Sequence, residues 1–191
     1  MKIKQPLRVV ALLALASMGL AWTAQDGPPK EGDPKDQRPV TVIAVRHAEK
    51  ATDDPRDPGL TDGGEERAAA LAKLLSHAGV THVYSTSYRR TQATVAPLAT
   101  SLELEITSYD PRGLSGFAED LRKLSPGSVA VVSGHSNTTP GLVLALGGEI
   151  EDLNKGRGGP TLGEGEYDRL FLVTLPGAEG LTSCVELRYG E

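Results

Sequence analysis

Residues 41–50 read "TVIAVRHAEK", an apolar run that ends abruptly in charged side chains. Its apolar part, residues 40–45, is continuous and rich in β-branched residues, which is typical of a strand that is buried on both faces. Arg46 and His47 follow this strand directly, and Glu49 lies just beyond them. The stretch therefore predicts a central strand whose end delivers a cation, an imidazole and a carboxylate to one place.

Segments typical of strands and helices alternate along the rest of the chain. The predicted helices span 60–79, 89–102, 116–127 and 139–148, and the further predicted strands span 81–86, 104–110, 128–136, 167–175 and 182–190. This alternation indicates an α/β fold, because each helix returns the chain to begin another parallel strand. We predict a three-layer α/β/α sandwich with a mostly parallel central sheet and an antiparallel edge strand, the last two strands forming a hairpin.

The first predicted helix, 60–79, carries clear start and stop signals. Thr61 is a predicted N-cap that is followed by acidic residues, and Gly79 ends the helix. Leu71, Leu74 and Leu75 are predicted to form its apolar face.

Length and composition describe a single globular domain. The chain has 191 residues, of which 39% are hydrophobic and 24% are charged, which is enough for a real core. The formal net charge is -5, and no basic stretch interleaves with aromatic residues, which excludes nucleic acid as a partner. Cys184 is the only cysteine, so an intrachain disulfide or a Cys-rich metal site is excluded, and it is predicted to be a small core residue. The sequence makes no prediction about oligomeric state.

Residues 1–24 are predicted to be a signal peptide. Three basic residues precede the 12-residue apolar run 9–20, which is too short to span a bilayer comfortably and is typical of a secretory signal. The alternative is an uncleaved anchor, and only then is a membrane a partner. Residues 25–39 carry four prolines and seven charges and are predicted to be a linker, so the domain covers 40–191 and is exported to the periplasm or the cell exterior.

Polar side chains cluster just after the predicted parallel strands, where α/β sheets bind their ligands. They are, in chain order, Arg46 with His47, Arg89 with Arg90, Asp110, and His135 with Ser136 and Asn137. Arginine presents a planar fork that grips phosphate oxygens, and imidazole is a nucleophile toward phosphorus. The sequence therefore predicts an anion pocket at this edge. His77 and His82 lie away from it and are predicted to be structural or exposed.

Four motifs in a fixed order resemble the histidine phosphatase superfamily, the group related to phosphoglycerate mutase. "VRHAEK" (45–50) resembles its Arg-His signature, and "LTDGGEERAAALAKLL" (60–75) resembles its "LT-x-x-G" helix opening. "YSTSYRRTQATVAPLA" (84–99) resembles its "S-x-x-x-R-x-x-x-T" segment, with Thr86 in the usual Ser position. "VVSGHSNT" (131–138) resembles the strand that presents a second histidine. Within this superfamily the chain is similar to small exported bacterial phosphatases.

The resemblance implies a phosphatase that works through a phosphohistidine on His47. The other residues that it implies around the phosphoryl group and the substrate are Arg46, Arg90, His135, Asn137 and Glu49. His47 must attack as the neutral imidazole, so its second nitrogen needs an acceptor such as a backbone carbonyl. His135 is expected to be at least partly protonated when phosphate is bound. No metal and no other cofactor is implied, and the substrate is a small phosphorylated molecule or a phosphoprotein.

The resemblance implies a general acid on the segment after the third strand, where this chain offers "SYDPRG" (108–113). Asp110 is therefore the predicted donor of a proton to the leaving oxygen. The mutases carry a Glu within a longer insertion that this chain lacks. Glu49 and Asp168 are the alternatives, and a good leaving group such as phosphohistidine or a pyrophosphate would need no acid.

Other functions account for parts of the pattern. Ser136 lies between a strand and a helix, as in a serine-hydrolase nucleophile elbow, but Thr138 stands in place of the second glycine and no histidine follows. A non-catalytic phosphate-binding domain on the same fold and a mutase-like phosphoryl transfer are the remaining alternatives. The Gly-rich loop 149–166 is assigned to substrate choice, with a solvated surface loop as the alternative.

Overall fold

The computed structural model describes residues 36–177 and 180–190, which form one mixed sheet with helices on both faces. The strands are β1 (Val40–Arg46), β2 (His82–Ser85), β3 (Ile106–Ser108), β4 (Val129–Gly134), β5 (Asn154–Gly156), β6 (Gly159–Thr161), β7 (Arg169–Leu175) and β8 (Ser183–Arg188). The helices are α1 (Asp62–Leu75), α2 (Arg89–Ser101), α3 (Leu114–Arg122) and α4 (Thr138–Ala145).

The central sheet has six strands in the order β3-β2-β4-β1-β7-β8. Strands β3, β2, β4 and β1 are parallel to one another, whereas β7 runs antiparallel to both β1 and β8. The predicted α/β/α fold with a mostly parallel sheet is confirmed, and β7 with β8 forms the predicted hairpin. The reversed strand is β7, one place in from the edge.

Alternate residues of β1 face two separate cores. Val42 and Ala44 pack with residues of α3 and α4 on one face of the sheet. Ile43 and Val45 pack with residues of α1 and α2 on the other face. This explains the continuous apolar run that opens the sequence, because a strand covered by helices on both sides has no polar face.

Three details differ from the sequence prediction. Helix α1 ends at Leu75, four residues before Gly79, the predicted end. Leu74 is 52% exposed, although Leu71 and Leu75 are buried. It lies roughly 100° around the helix from Leu75, which turns it off the apolar face. Within residues 149–166, which we call the wall loop, β5 and β6 form a small two-stranded hairpin. The sequence predicts only a loop there, because β5 and β6 are short, Gly-rich and polar.

The N-terminal predictions fall mostly outside the described residues. The predicted signal peptide and residues 25–35 of the predicted linker belong to that undescribed part. The last linker residues contact the domain, since the Gly127 amide donates to the Pro39 carbonyl at 3.2 Å. In the described part of the chain, no helix combines the length and the apolar character that a membrane span requires.

Candidate active site

Three parallel strands end level with one another and gather the polar residues that follow them. Ser133 of β4 pairs with Val45 of β1 on one side and with Ser85 of β2 on the other. A cavity of about 690 Å³ opens at this edge of the sheet. Six residues of the predicted cluster line it: Arg46, His47, Arg90, His135, Ser136 and Asn137. Asp110 and Glu49 do not.

His47 is held with one particular nitrogen toward the cavity. Its Nδ1 lies 2.7 Å from the carbonyl oxygen of Ala48, which can only accept, so Nδ1 carries the proton. The neutral ring therefore has its lone pair on Nε2. Burial lowers the pKa of His47 to about 3, and the nearby charges of Arg46 and Arg90 act in the same direction. At neutral pH the ring is uncharged and ready to attack through Nε2.

His135 ends a chain of hydroxyl groups that fixes its own tautomer. Thr91 Oγ1 donates to the Tyr88 carbonyl at 2.8 Å and lies 2.7 Å from Thr86 Oγ1, so Thr86 donates to Thr91. Thr86 Oγ1 is then left to accept from His135 Nε2 at 3.1 Å. The His135 ring thus keeps its proton on Nε2, and Nδ1 is the nitrogen that can gain a second proton.

The charge of His135 depends on what the cavity holds. Burial, followed by the charges of Arg90 and Arg46, lowers its pKa to about 4, so the ring is neutral at pH 7 in the free protein. A bound phosphate would act in the opposite direction, because an anion favours the imidazolium form. The expected protonation of His135 therefore concerns the phosphate-bound state only.

Arg46 is clamped by the wall loop along one side of its guanidinium. Nη1 donates to the carbonyl oxygens of Gly163 at 2.8 Å, Glu164 at 3.0 Å and Glu166 at 3.2 Å. The Tyr167 ring covers the guanidinium, with 4.2 Å from Cζ to the ring centroid. Arg46 Nε is buried and has no hydrogen-bond acceptor among the described residues. A buried donor of this kind is costly unless an acceptor reaches it, and an oxyanion would supply one.

Arg90 has a similar environment on the other side of the cavity. Its guanidinium lies over the Tyr88 ring, 4.5 Å from the centroid, and its nearest carboxylate oxygen, on Asp57, is 3.8 Å from Nη1. Arg90 Nε is also buried without an acceptor in the described part of the chain. Its neighbour Arg89 is exposed and instead contacts Asp53 at 3.2 Å, so only Arg90 of the pair faces the cavity.

Glu49 is committed to a structural ion pair. Arg67 holds it with Nε 2.9 Å and Nη2 2.8 Å from Oε1, and Arg67 Nη1 also donates to the Tyr189 carbonyl at 2.8 Å. Although burial raises the pKa of Glu49, the hydrogen bonds from Arg67 bring it below the usual range. The predicted role of Glu49 in binding substrate or donating a proton has no support in this geometry.

The "LT-x-x-G" segment packs against the backbone beside the nucleophile. Thr61 caps α1 as predicted, since its Oγ1 accepts from the Gly64 amide at 3.1 Å. A Cβ on Gly64 would lie 2.4 Å from the carbonyl oxygen of Glu49. Thr94, which closes the next motif, accepts a hydrogen bond from the Ala48 amide at 2.9 Å. Both motifs thus fix the turn that follows His47.

Asp110 and Asp168 are also not among the residues that line the cavity. Asp110 is exposed and pairs with Arg112 at 3.2 Å. The backbone and guanidinium N–H groups of Arg112 lower the pKa of Asp110, which makes it a poorer proton donor near neutral pH. Asp168 pairs with Arg188 at 2.9 Å. Of the three acids considered from the sequence, none lines the cavity.

The cavity also contains residues that the sequence analysis missed. Tyr88 and Tyr167 cover the two arginines, and Glu164 is the only carboxylate side chain among the described lining residues. Glu164 lies in the wall loop, and Tyr167 directly follows it. No local sequence pattern indicates that this loop lies beside the cavity. In the described residues, no group of three or more His, Cys, Asp or Glu side chains is arranged to hold a metal ion.

Comparisons with known proteins agree with this architecture. Residues 42–111 match the family model described as the histidine phosphatase superfamily (branch 1). No curated protein matches the sequence. The solved structure of the protein histidine phosphatase SixA complexed with tungstate is similar with a TM-score of 0.59 at 20% identity, over 78% of this chain and 96% of that one.

Two further solved structures share the fold at lower identity. Mycobacterial hydrolase 2 is similar with a TM-score of 0.54 at 14% identity, over 80% of this chain and 91% of that one. A phosphoglycerate mutase from Bacillus anthracis str. Sterne is similar with a TM-score of 0.52 at 15% identity, over 80% of this chain and 94% of that one. Residues 42–111 are thus similar to the histidine phosphatase superfamily, and the described part of the chain shares its fold with these solved structures.

Proposed function

We propose that this protein is a phosphatase that hydrolyses a phosphoryl group through a phosphohistidine intermediate on His47. One arrangement carries the proposal: His47, whose Nε2 is unprotonated, lines the same cavity as Arg46 and Arg90, and each of these arginines has a buried Nε without a protein acceptor in the described chain. A neutral nucleophile beside two unsatisfied cationic donors matches a site for a phosphoryl group.

The first step is an in-line displacement at phosphorus. The lone pair of His47 Nε2 forms the N–P bond as the bond to the leaving oxygen breaks, and that oxygen keeps the electron pair. Arg46, Arg90 and His135 stabilise the negative charge on the three equatorial oxygens. In the second step water attacks the phosphohistidine, which releases inorganic phosphate and restores the neutral imidazole.

The proton for the leaving oxygen comes, in this proposal, from Glu164. Glu164 is the only acidic residue among the described residues that line the cavity, and its carbonyl oxygen is bound to Arg46, which fixes the backbone at that position. Asp110, Glu49 and Asp168 are each paired with an arginine instead.

Substrate and location are further parts of the proposal. A similar solved structure is named as a protein histidine phosphatase, which supports a phosphorylated protein side chain as one substrate class beside small phosphate esters. The predicted signal sequence supports a place outside the cytoplasm, in the manner of a small exported phosphatase. Mutase-like transfer is the second candidate, supported by the likeness to a phosphoglycerate mutase.

The test combines turnover with trapping of the intermediate. Wild type should hydrolyse nitrophenyl phosphate and, after acid-free quenching, retain an acid-labile phosphoryl label on His47. His47→Ala should lose both, whereas the matched control His77→Ala, at an exposed position of the same residue type, should keep both. Full activity in a folded His47→Ala protein would refute the mechanism. Phosphate binding without turnover or label would identify a non-catalytic anion-binding domain.

A further inference from the structure

Arg169 is a second arginine at the edge of the sheet that holds the site, and it is almost completely buried. It opens β7 and is 2% exposed. The carboxyl end of β1 lies directly beside it, because Val45 pairs with Leu170. Arg169 does not line the cavity, so its buried charge has no direct role in binding a phosphoryl group.

The guanidinium of Arg169 is bound by groups from three parts of the chain. Glu186 on β8 accepts from Nε at 2.8 Å and from Nη2 at 2.6 Å. At the start of the wall loop, the Glu151 carbonyl accepts from Nη2 at 2.9 Å and the Asp152 carbonyl from Nη1 at 3.4 Å. At the end of the loop, Glu166 Oε2 lies 3.6 Å from Nη1.

Glu166 connects Arg169 to the loop carbonyls that accept hydrogen bonds from Arg46. Its Oε2 accepts from the Gly163 amide, and its own amide donates to the Gly163 carbonyl at 3.1 Å. The carbonyls of residues 163, 164 and 166 are the groups that hold Arg46 Nη1. The path from Arg169 to Arg46 therefore consists of one ion pair, between Arg169 and Glu166, followed by hydrogen bonds within residues 163–166 and from Arg46 to their carbonyls.

We infer that Arg169 is a positioning residue for Arg46: it ties both ends of the wall loop to the sheet, so that three loop carbonyls hold the Arg46 guanidinium at the wall of the cavity. This inference rests on the proposed function, in which Arg46 binds the phosphoryl group. The bidentate bond to Glu186 keeps the buried charge of Arg169 paired, and the planar fork explains why arginine serves here.

Lysine is the informative replacement at position 169, because it keeps the charge but loses the fork. We expect Arg169→Lys to lower kcat/KM for nitrophenyl phosphate about 10- to 100-fold, since small displacements of a positioning group have effects of this size. Its affinity for tungstate, measured by calorimetry, should fall in parallel. Arg188→Lys is the matched control: Arg188 pairs with Arg169 across the strands but is exposed. Its ion pairs are with Asp168 at 2.9 Å and, more loosely, with Glu186 at 3.5 Å, and in the described chain no hydrogen bond joins it to the wall loop. It should change both values less than about threefold.

A double-mutant cycle separates positioning from a merely structural role. In an Arg46→Lys background, which lacks the positioned guanidinium, Arg169→Lys should cost less than about threefold in kcat/KM and in tungstate affinity. Equal losses in both backgrounds, or a fall in melting temperature with normal tungstate affinity, would overturn the inference. If the protein binds tungstate but has no turnover, the proposed phosphatase fails while the cycle in tungstate affinity still decides the role of Arg169.

Discussion

The imidazole rings of His47 and His135 meet edge to face, with 5.6 Å between their centroids. Each has a tautomer set by a partner outside the cavity, the Ala48 carbonyl for one and the Thr86 hydroxyl for the other. Both rings are neutral in the free protein at pH 7, with pKa values of about 3 and about 4. Two buried neutral imidazoles make the stability of the fold depend on pH.

We predict that the free energy of unfolding falls as the pH drops from about 6.5 toward 4. The unfolded chain takes up protons on both histidines below about 6.5, whereas the native state does not until the pH approaches the lowered pKa values. The contribution is fully present above pH 6.5, and each histidine adds a slope of at most about 1.4 kcal/mol per pH unit. Urea unfolding at several pH values should show a shallower acid decline for His47→Asn than for wild type. Parallel declines would contradict the pKa of about 3 for His47.

The leaving-group dependence of hydrolysis should identify the proton donor. We expect Glu164→Gln to slow phenyl phosphate at least about 10-fold more than nitrophenyl phosphate, because only the poorer leaving group needs a proton. Asp110→Asn should slow both substrates equally and slightly, since Asp110 does not line the cavity and is paired with Arg112. Steady-state rates over a series of aryl phosphates would measure this. If Asp110→Asn gives the selective effect, the donor reaches the cavity from the β3–α3 segment after all.

Two neighbouring glycines offer a test of the packing behind the nucleophile. Gly64→Ala should destabilise the fold by about 1–3 kcal/mol, because its Cβ would lie 2.4 Å from the Glu49 carbonyl and force the turn after His47 to move. Gly63→Ala is the control, since its nearest atom is 3.9 Å away. Thermal melts together with turnover would show a loss of both stability and activity for Gly64→Ala alone. A Gly64→Ala protein as stable as Gly63→Ala would show that the contact is easily relaxed.

Tyr167 should contribute to the affinity for tungstate through the face of its ring and not through its hydroxyl group. Tyr167→Phe keeps the aromatic face that lies 4.2 Å from the Arg46 Cζ, and we expect near-normal tungstate affinity. Tyr167→Leu loses the cation–π contact, worth about 0.5–2 kcal/mol, so affinity should fall roughly 2- to 30-fold. Calorimetry on both variants would decide between them. A loss in Tyr167→Phe as large as in Tyr167→Leu would assign the effect to the hydroxyl instead.

The parallel sheet and the residues gathered at its edge could be predicted from the sequence, and the reason is physical. Parallel strands must end at one edge, so residues that follow such strands, Arg46 with His47, Arg90 and His135, are brought together whatever the details of packing. The structure places these four around one cavity. The α/β order followed from the same alternation of apolar segments.

Side-chain pairings were beyond what the sequence pattern could predict. Asp110 is captured by Arg112, two residues away, and Glu49 by Arg67, 18 residues away, and neither choice of partner follows from strand order. The sequence of the wall loop does not predict that Glu164 lines the cavity, because a Gly-rich sequence is equally typical of a solvated loop. Turn geometry and the competition among nearby charges decide such pairings only once the chain has folded.

The bonds that hold Arg46 all come from main-chain carbonyls of the wall loop. A carbonyl is supplied by every amino acid, so the hydrogen bonds to Arg46 place no demand on which side chain stands at position 165. A Cβ on Gly165 would meet no other atom within 4 Å. Position 165 can therefore take other side chains, in evolution or by design, while the hydrogen bonds to Arg46 are inherited intact.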